Sequence, residues 1–235
     1  MENHLNRIRK LLRENADENK RLSSMKFFGE EVDFYGVKNA VVHQISREVY
    51  KDMKKSGKAD VFKICEELWE SGIMEETLVA CNLSYYRRKE YQPEDFLLFK
   101  RWIETYINNW ASCDTFCNHT VGEFIMMYPD YLKELIEFTK SDNRWMRRAA
   151  AVTLIVPAKR GLFLDTVLRI ADNLLTDRDD MVQKGYGWML KVASQAHQQE
   201  IFIYVMKNKS FMPRTALRYA IEKMPKELKA RAMER

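Results

Sequence analysis

Two pairs of residues, each four positions apart, have the types needed to hold a positively charged aromatic ring. Trp110 precedes Asp114, and Lys184 precedes Trp188. Residues four apart share one face of a helix, so each indole would stand beside a charged group. An indole face attracts a cation, and a carboxylate stabilises positive charge nearby. The two pairs therefore predict a pocket for a flat, cationic heterocycle.

Structural roles are the alternatives for these residues. Asp114 lies close to a predicted helix start, so it could instead cap that helix or form a salt bridge. A tryptophan at helical spacing is usually a core residue, and Trp69, Trp102 and Trp145 fit that interpretation. Trp110 and Trp188 differ because their neighbours one turn away are charged.

Cys113, Cys117 and His119 have a spacing that could be mistaken for a metal site. A zinc site needs further ligands converging from elsewhere in the chain, and no histidine supplies an obvious one. We therefore expect the four cysteines to be buried, reduced thiols, and we expect no metal and no cofactor.

The elements that must position these residues are helices. Apolar residues recur every three or four positions, whereas Gly (8) and Pro (5) are too scarce for a turn-rich β-sandwich or barrel. No convincing alternating strand is present. The pattern predicts helices at residues 3–14, 17–27, 37–54, 59–69, 75–89, 94–106, 111–127, 130–139, 144–155, 162–175, 180–194, 197–207 and 213–223.

The second half of the chain contains a repeat. Residues 142–154 can be laid on residues 178–190 at an offset of 36, and weaker copies begin at Asn108 and Asn208. Helix pairs repeating every 30 to 40-odd residues indicate a solenoid. We therefore predict an all-α fold, an α-α superhelix of HEAT-like or armadillo-like helix pairs, forming one domain over residues 1–235. The second helix of each pair would line the concave face.

Equivalent positions in the repeat copies carry Asp114, Arg148, Lys184 and Arg214. Three cations at matching positions predict a positive stripe interrupted by one carboxylate, and nearby helix N-termini add N–H donors that suit phosphates. The net charge is +5 overall, but −7 over residues 61–139 and +9 over residues 140–235. This distribution favours a polyanionic partner for the C-terminal third.

The sequence lacks the motifs that are typical of several classes of protein function. The sequence contains neither G-x-G-x-x-G nor G-K-[ST], the usual glycine-rich loops for nucleotide phosphates. No apolar run approaches the roughly 20 residues of a membrane span, and residues 1–4 begin no apolar signal segment. We expect a cytoplasmic protein.

Three segments together resemble the DNA alkylation repair family of AlkD-like DNA glycosylases. They are Trp110-Ala-Ser-Cys-Asp114, Ser-Asp-Asn-Arg-Trp-Met-Arg-Arg148-Ala-Ala, and Val-Gln-Lys-Gly-Tyr-Gly-Trp188. Phe34–Val37, Leu68-Trp69 and Glu75-Glu76 also look like the N-terminal helices of that family. The resemblance covers roughly residues 20 to 225.

The resemblance implies a monofunctional DNA glycosylase that excises cationic alkylpurines such as 3-methyladenine and 7-methylguanine from double-stranded DNA. It assigns Asp114 as the catalytic carboxylate, Trp110 and Trp188 as aromatic walls, and Arg148 as a contact to the DNA backbone. Arg147 adds a cation beside Arg148, and Lys184 and Arg214 extend the basic groove. The enzyme would act as a monomer. A DNA-binding member without excision activity and a protein-interaction scaffold are the alternatives.

Overall fold

Helices make up nearly all the regular structure of the computed structural model, which describes residues 4–28 and 31–234. This part of the chain contains no β-strand, only a bridge between Asp33 and Ile73. The predicted all-α fold of helix-pair repeats is confirmed. The α-helices are α1 His4–Glu14, α2 Glu18–Phe27, α3 Asn39–Asp52, α4 Lys58–Glu70, α5 Met74–Tyr86, α6 Asp95–Tyr106, α7 Trp110–Phe116, α8 Gly122–Met127, α9 Leu132–Phe138, α10 Arg144–Val152, α11 Ile155–Lys159, α12 Leu164–Asn173, α13 Asp180–Ala193, α14 Gln198–Asn208, α15 Arg214–Ala220 and α16 Lys226–Met233.

Polar side chains at the helix starts explain many of these bounds. Asp17, Asn143 and Asp179 accept hydrogen bonds from backbone N–H groups in the first turns of α2, α10 and α13. Such caps satisfy N–H groups that have no partner within the helix. Pro213 and Pro225 directly precede α15 and α16, where the fixed φ of proline suits a helix start.

Three local predictions were wrong or incomplete. The helix predicted at residues 144–155, with its end before Pro157, is divided into α10 and α11, and Pro157 lies in the first turn of α11, where its missing N–H breaks no helical hydrogen bond. The π-helical turn Cys117–Val121 separates α7 from α8 within the single helix predicted at residues 111–127. The sequence pattern also did not predict α16, although Pro225 and Glu227 are typical helix-start residues.

The chain divides into two compact units, the first ending at Phe116 and the second beginning at Cys117. The expectation of one domain over residues 1–235 stays a prediction. Within the described residues, every helix is too short or too polar to cross a bilayer.

In the first unit, the loop that precedes α3 is fixed by a buried carboxylate at the start of α5. Glu75 accepts hydrogen bonds of 2.9 Å from the backbone N–H groups of Tyr35, Gly36 and Val37. The neighbouring Glu76 accepts from the Tyr35 hydroxyl at 2.6 Å and from the Arg9 Nε at 3.0 Å. Burial and the bond to Glu76 raise the pKa of Tyr35 to about 12, which keeps this hydroxyl protonated as a donor.

A second carboxylate, Glu66, ties α4 to α6. It accepts hydrogen bonds from Arg101 at 2.7 and 2.8 Å, from the Tyr106 hydroxyl at 2.5 Å, and from the Trp102 indole N–H. Burial alone would raise the pKa of Glu66, but these donors outweigh it and hold the pKa below its ordinary value.

An aromatic core supports α7 from beneath. Phe116 packs edge-on against Trp69 and Phe99, with ring centroids 5.5 and 5.8 Å apart, and Trp102 lies 5.8 Å from it. Both tryptophans are buried, as is Trp145 in the second unit, so the core interpretation of these three is confirmed. This packing fixes which side of α7 remains accessible.

In the second unit, α13 packs between α10 and α15, so the second helices of successive repeats lie side by side. Two glycines on α13 permit the close approach. A Cβ atom at Gly187 would lie 2.7 Å from the Tyr219 Cβ and 2.8 Å from the Ala216 oxygen. A Cβ atom at Gly185 would lie 3.2 Å from the Cγ of Arg148. The Gly-Tyr-Gly segment therefore explains how α13 contacts both neighbours.

Candidate functional site

Trp110 and Asp114 lie one turn apart on α7, on a side that is partly exposed. Ser112, Cys113 and Phe116 of the same helix are buried. The carboxamide of Asn109 accepts a 2.9 Å hydrogen bond from the Ser112 N–H, so Asn109 caps the helix. Asp114 lies in the second turn, and the helix-cap alternative for this residue is therefore excluded.

Trp110 is held in place by two phenylalanines from the end of α2. The Phe28 ring is stacked on the indole, with centroids 5.3 Å apart and 11° between the planes. Phe27 contacts the same indole edge-on at 6.0 Å, and Phe34 packs on Phe28 at 5.3 Å. The sequence pattern did not predict that Phe27 and Phe28 contact Trp110, because a contact across about 80 residues leaves no periodic signal.

The four cysteines are buried thiols, as predicted. Burial raises the pKa of Cys65 and Cys81, which disfavours the thiolate form that binds metals or attacks electrophiles. Among the described residues, no group of three or more His, Cys, Asp or Glu side chains is arranged to hold a metal ion.

Arg148 and Lys184 lie on the adjacent helices α10 and α13 of the second unit, each in the second turn of its helix. Arg148 is only 5% exposed. Its side chain crosses Gly185, and its guanidinium donates to the backbone carbonyl of Met181. The predicted alignment of these two cations on neighbouring helices is present, and Arg148 also ties α10 to the first turn of α13.

An acidic segment before and within the first turn of α13 faces the cations of this unit. Asp177 accepts a 2.7 Å hydrogen bond from Arg147, whose guanidinium also donates to the carbonyls of Ser141 and Asp142 at 2.9 and 3.0 Å. Asp180 pairs with Lys184 at 2.5 Å. The sequence pattern did not predict that these carboxylates compensate the cations. The segment Asp177-Arg-Asp-Asp180 could have indicated it, because its carboxylates are opposite in charge to the predicted positive stripe.

The two pairs with Asp177 and Asp180 differ in accessibility. Arg147 and Asp177 are largely buried, so their ion pair and the carbonyl bonds form a structural clamp. Lys184 and Asp180 are more exposed, and an exposed pair one turn apart contributes only a few tenths of a kcal/mol. The Lys184 ammonium can therefore exchange its partner for another anion.

Trp188 and Arg214 complete the predicted set. Trp188 is partly exposed and follows Lys184 by one turn of α13. Arg214 is exposed at the first residue of α15, which packs against α13. The second unit thus brings an accessible indole and two accessible cations onto neighbouring helices.

Comparisons with known proteins identify a matching family model and solved structures of similar fold. A family model described as DNA alkylation repair enzyme matches residues 8–224. The chain is similar to the solved structure of a "Predicted DNA alkylation repair enzyme" from Enterococcus faecalis, with a TM-score of 0.81 and 17% identity over 90% of this chain and 98% of that one. AlkD2 from Streptococcus mutans gives a TM-score of 0.61 and 22% identity over 88% and 99% of the two chains. The protein smu.31 from S. mutans UA159 gives 0.61 and 19% over 97% and 98%. A search of curated protein sequences gives no significant match.

Proposed function

The chain belongs to the DNA alkylation repair enzyme family, and from that membership we propose that it is a DNA glycosylase. Its substrate is duplex DNA that contains a cationic alkylated purine, such as 3-methyladenine or 7-methylguanine. The reaction is hydrolysis of the N-glycosidic bond, which releases the base and leaves an abasic site. The observation that carries the proposal is a partly exposed indole, Trp110, fixed by Phe28 one turn from the carboxylate of Asp114.

The substrate chemistry explains why one carboxylate suffices. An alkylated purine already carries a positive charge, so it leaves as a neutral base without protonation by a general acid. As the bond breaks, positive charge moves to the deoxyribose, as in the oxocarbenium-like transition state of glycoside hydrolysis. Asp114 stabilises that charge electrostatically and orients the attacking water. No lysine occupies the nucleophile's position in the motif, so the reaction stops at hydrolysis.

The proposed function assigns an aromatic role to Trp110 in the first unit and to Trp188 in the second. An indole face stabilises both the cationic base before cleavage and the cationic sugar during cleavage. Phe28 supports this role because it restrains the Trp110 indole before substrate arrives, and a restrained group loses less entropy on binding.

The basic side chains supply the contacts to the DNA backbone in a concave groove. Lys184 and Arg214 are the accessible members of this set and bind phosphates directly. Arg148 presents only the small exposed part of its guanidinium, and Arg147, whose charge is compensated by Asp177, fixes the carbonyls of Ser141 and Asp142 beside this surface. The proposal includes a monomeric, single-domain, cytoplasmic enzyme that needs no metal or cofactor.

Base release from methylated DNA tests the proposal. The protein is incubated with duplex DNA treated with a methylating agent, and free 3-methyladenine and 7-methylguanine are separated by chromatography. An enzyme releases both in proportion to its concentration. Binding of the duplex without release would identify a non-catalytic DNA-binding protein. Absence of both binding and release would favour a protein-interaction scaffold.

A further inference from the structure

The position of α2 depends on a neighbouring segment, because the helix buries none of its own side chains. An isolated ten-residue helix is marginal in water, so α2 needs external contacts to stay in place. The loop at residues 34–37, which precedes α3, supplies a contact at each end of the helix.

Gly36 and Phe34 are the two contact points of this loop. Gly36 has a positive φ of 87°, and a Cβ atom there would lie 2.1 Å from the backbone oxygen of Asp17, so only glycine permits this approach at the start of α2. At the other end of α2, Phe34 packs on Phe28, with 5.3 Å between the ring centroids. Phe28 is also the ring that is stacked on Trp110. The loop therefore determines where α2 presents Phe28 to the indole.

The loop in turn is fixed by Glu75, which lies in the first turn of α5 and is only 3% exposed. One carboxylate oxygen accepts from the N–H groups of Gly36 and Val37, and the other accepts from the N–H of Tyr35, each at 2.9 Å. A buried carboxylate is costly unless its oxygens are hydrogen-bonded, and these three donors satisfy it. Three consecutive N–H groups bound to one side chain restrain the backbone of the loop directly.

We propose that Glu75 is a positioning residue for base excision, an inference that rests on the proposed function. The carboxylate fixes the loop at residues 34–37, the loop fixes Phe34 and the ends of α2, and Phe28 then holds the Trp110 indole against which the alkylated base binds. Glu75 is buried on α5, so it acts through these contacts and not on the substrate itself. Its loss lowers the rate of the chemical step, because a misplaced group in the site slows the reaction even when the change is remote.

Single-turnover release of 7-methylguanine measures the effect on the reaction. Glu75→Gln replaces one carboxylate oxygen by an amide NH2, which cannot accept from a backbone N–H, so at least one of the three bonds is lost. We expect release several-fold slower than by the parent, with the affinity for unmodified duplex DNA unchanged. Asp95→Asn is the matched control, because Asp95 also accepts a backbone N–H bond, from Gln92 at 2.8 Å, but lies at the start of α6. This control should release base at the parent rate.

Combination with Phe28→Ala shows whether Glu75 acts through the stacked ring. If it does, Glu75→Gln slows release by the parent but adds nothing further in the Phe28→Ala protein, because the contact that it supports is already gone. Equal slowing in both backgrounds would overturn the proposal. A folded Glu75→Gln protein that releases base at the parent rate would overturn it as well, with circular dichroism establishing the fold.

Fluorescence quenching by acrylamide measures the restraint on the indole and needs no base release. The contribution of Trp110 is obtained as the difference between each protein and its Trp110→Phe counterpart. Phe28 covers one face of the indole, so Glu75→Gln should increase the quenching of Trp110, whereas Asp95→Asn should not. Unchanged quenching in Glu75→Gln would overturn the proposal.

Phe34→Ala tests the same path if Glu75→Gln does not fold. Phe34 is partly exposed, and its truncation leaves the three bonds of Glu75 in place while it removes the contact of the loop with Phe28. Phe34→Ala should slow release and increase the quenching of Trp110, and parent values of both would overturn the proposal.

The outcomes separate this inference from the proposed function. Normal release by the parent, together with unchanged quenching in the variants, overturns the role of Glu75 and leaves the enzyme assignment standing. Absence of release by the parent overturns the proposed function, and the quenching then decides alone whether Glu75 restrains Trp110.

Discussion

The indole of Trp110 lies almost parallel to the ring of Phe28, 5.3 Å between centroids and 11° between planes. An aromatic pair of this geometry adds about 0.5–1.5 kcal/mol to the stabilisation from buried area. The contact links the end of α2 to the start of α7, and it fixes the indole that the proposed mechanism uses as a pocket wall.

Removing the Phe28 ring should slow base release while the fold persists. Phe28→Ala frees the Trp110 indole to adopt other rotamers, so we expect a several-fold lower single-turnover rate of 7-methylguanine release. Phe28→Tyr keeps the stacking and should retain the parent rate. If Phe28→Ala released base as fast as Phe28→Tyr, the indole would not need this support.

The close packing of α13 predicts an order of stability between two glycine variants. In Gly187→Ala the new methyl group meets the backbone of α15, at 2.8 Å from the Ala216 oxygen, so the helices must separate. We expect the free energy of unfolding to fall by about 1–3 kcal/mol. Gly185→Ala meets the flexible Cγ of Arg148 at 3.2 Å and should lose less. Urea unfolding measures both, and the opposite order would contradict the packing described for α13.

The cations of the second unit should separate into binding and structural residues. Lys184→Ala and Arg214→Ala should each lower the salt slope of duplex binding by about 0.9 and leave the unfolding midpoint nearly unchanged. Arg148→Ala removes the partner of the Met181 carbonyl from a buried position, so it should also lower stability by about 1–3 kcal/mol. An Arg148→Ala variant as stable as the parent would place this guanidinium in solvent rather than between α10 and α13.

Glu66 should make the stability of the first unit dependent on pH. Its pKa is lower in the folded protein than the ordinary value of about 4.3. The contribution of the Glu66 carboxylate to the free energy of unfolding is therefore complete above about pH 4.3, and it is lost as the pH falls through the lower, folded-state pKa. Glu66→Gln should lower the free energy of unfolding by about 2 kcal/mol at pH 7, and the difference between parent and variant should shrink as the pH falls through the folded-state pKa of Glu66. A difference in unfolding free energy that stays the same at every pH would show that the charge of Glu66 does not stabilise the fold.

Local features could be predicted from the sequence because their causes are local. Helical periodicity and capping residues such as Asn143 give the first residues of α10 and α13 correctly, although α10 ends at Val152 and not at the predicted residue 155. The buried tryptophans Trp69 and Trp102 were separated correctly from Trp110 by the charge of the residue one turn away. Pro157 was misread because a proline interrupts a helix interior but not a first turn.

The rest depends on contacts between distant parts of the chain. The stacking of Phe28 on Trp110 and the clamp of Asp177 on Arg147 join segments that no periodic pattern relates. Arg148 and Lys184 were identified correctly as equivalent, whereas Arg214 is the first residue of its helix and not the fifth, and the burial of Arg148 was not predicted. Arg148 and Lys184 occupy matching positions, yet Gly185 gives Arg148 a buried path that Lys184 does not have.

Asp114→Asn tests the central claim most directly. Asparagine keeps the shape of the side chain but removes the negative charge that opposes the sugar cation, and losing one such electrostatic group slows a reaction about a hundredfold to a thousandfold. Duplex affinity should stay the same or rise slightly, because a carboxylate repels phosphates.

The partly exposed Glu134 on α9 offers a matched control, and Glu134→Gln should release base at the parent rate. We predict a folded Asp114→Asn protein that binds duplex DNA at least as well as the parent and releases 7-methylguanine at least about a hundredfold more slowly. Release at the parent rate by this folded variant would contradict the assignment of Asp114 as the catalytic carboxylate.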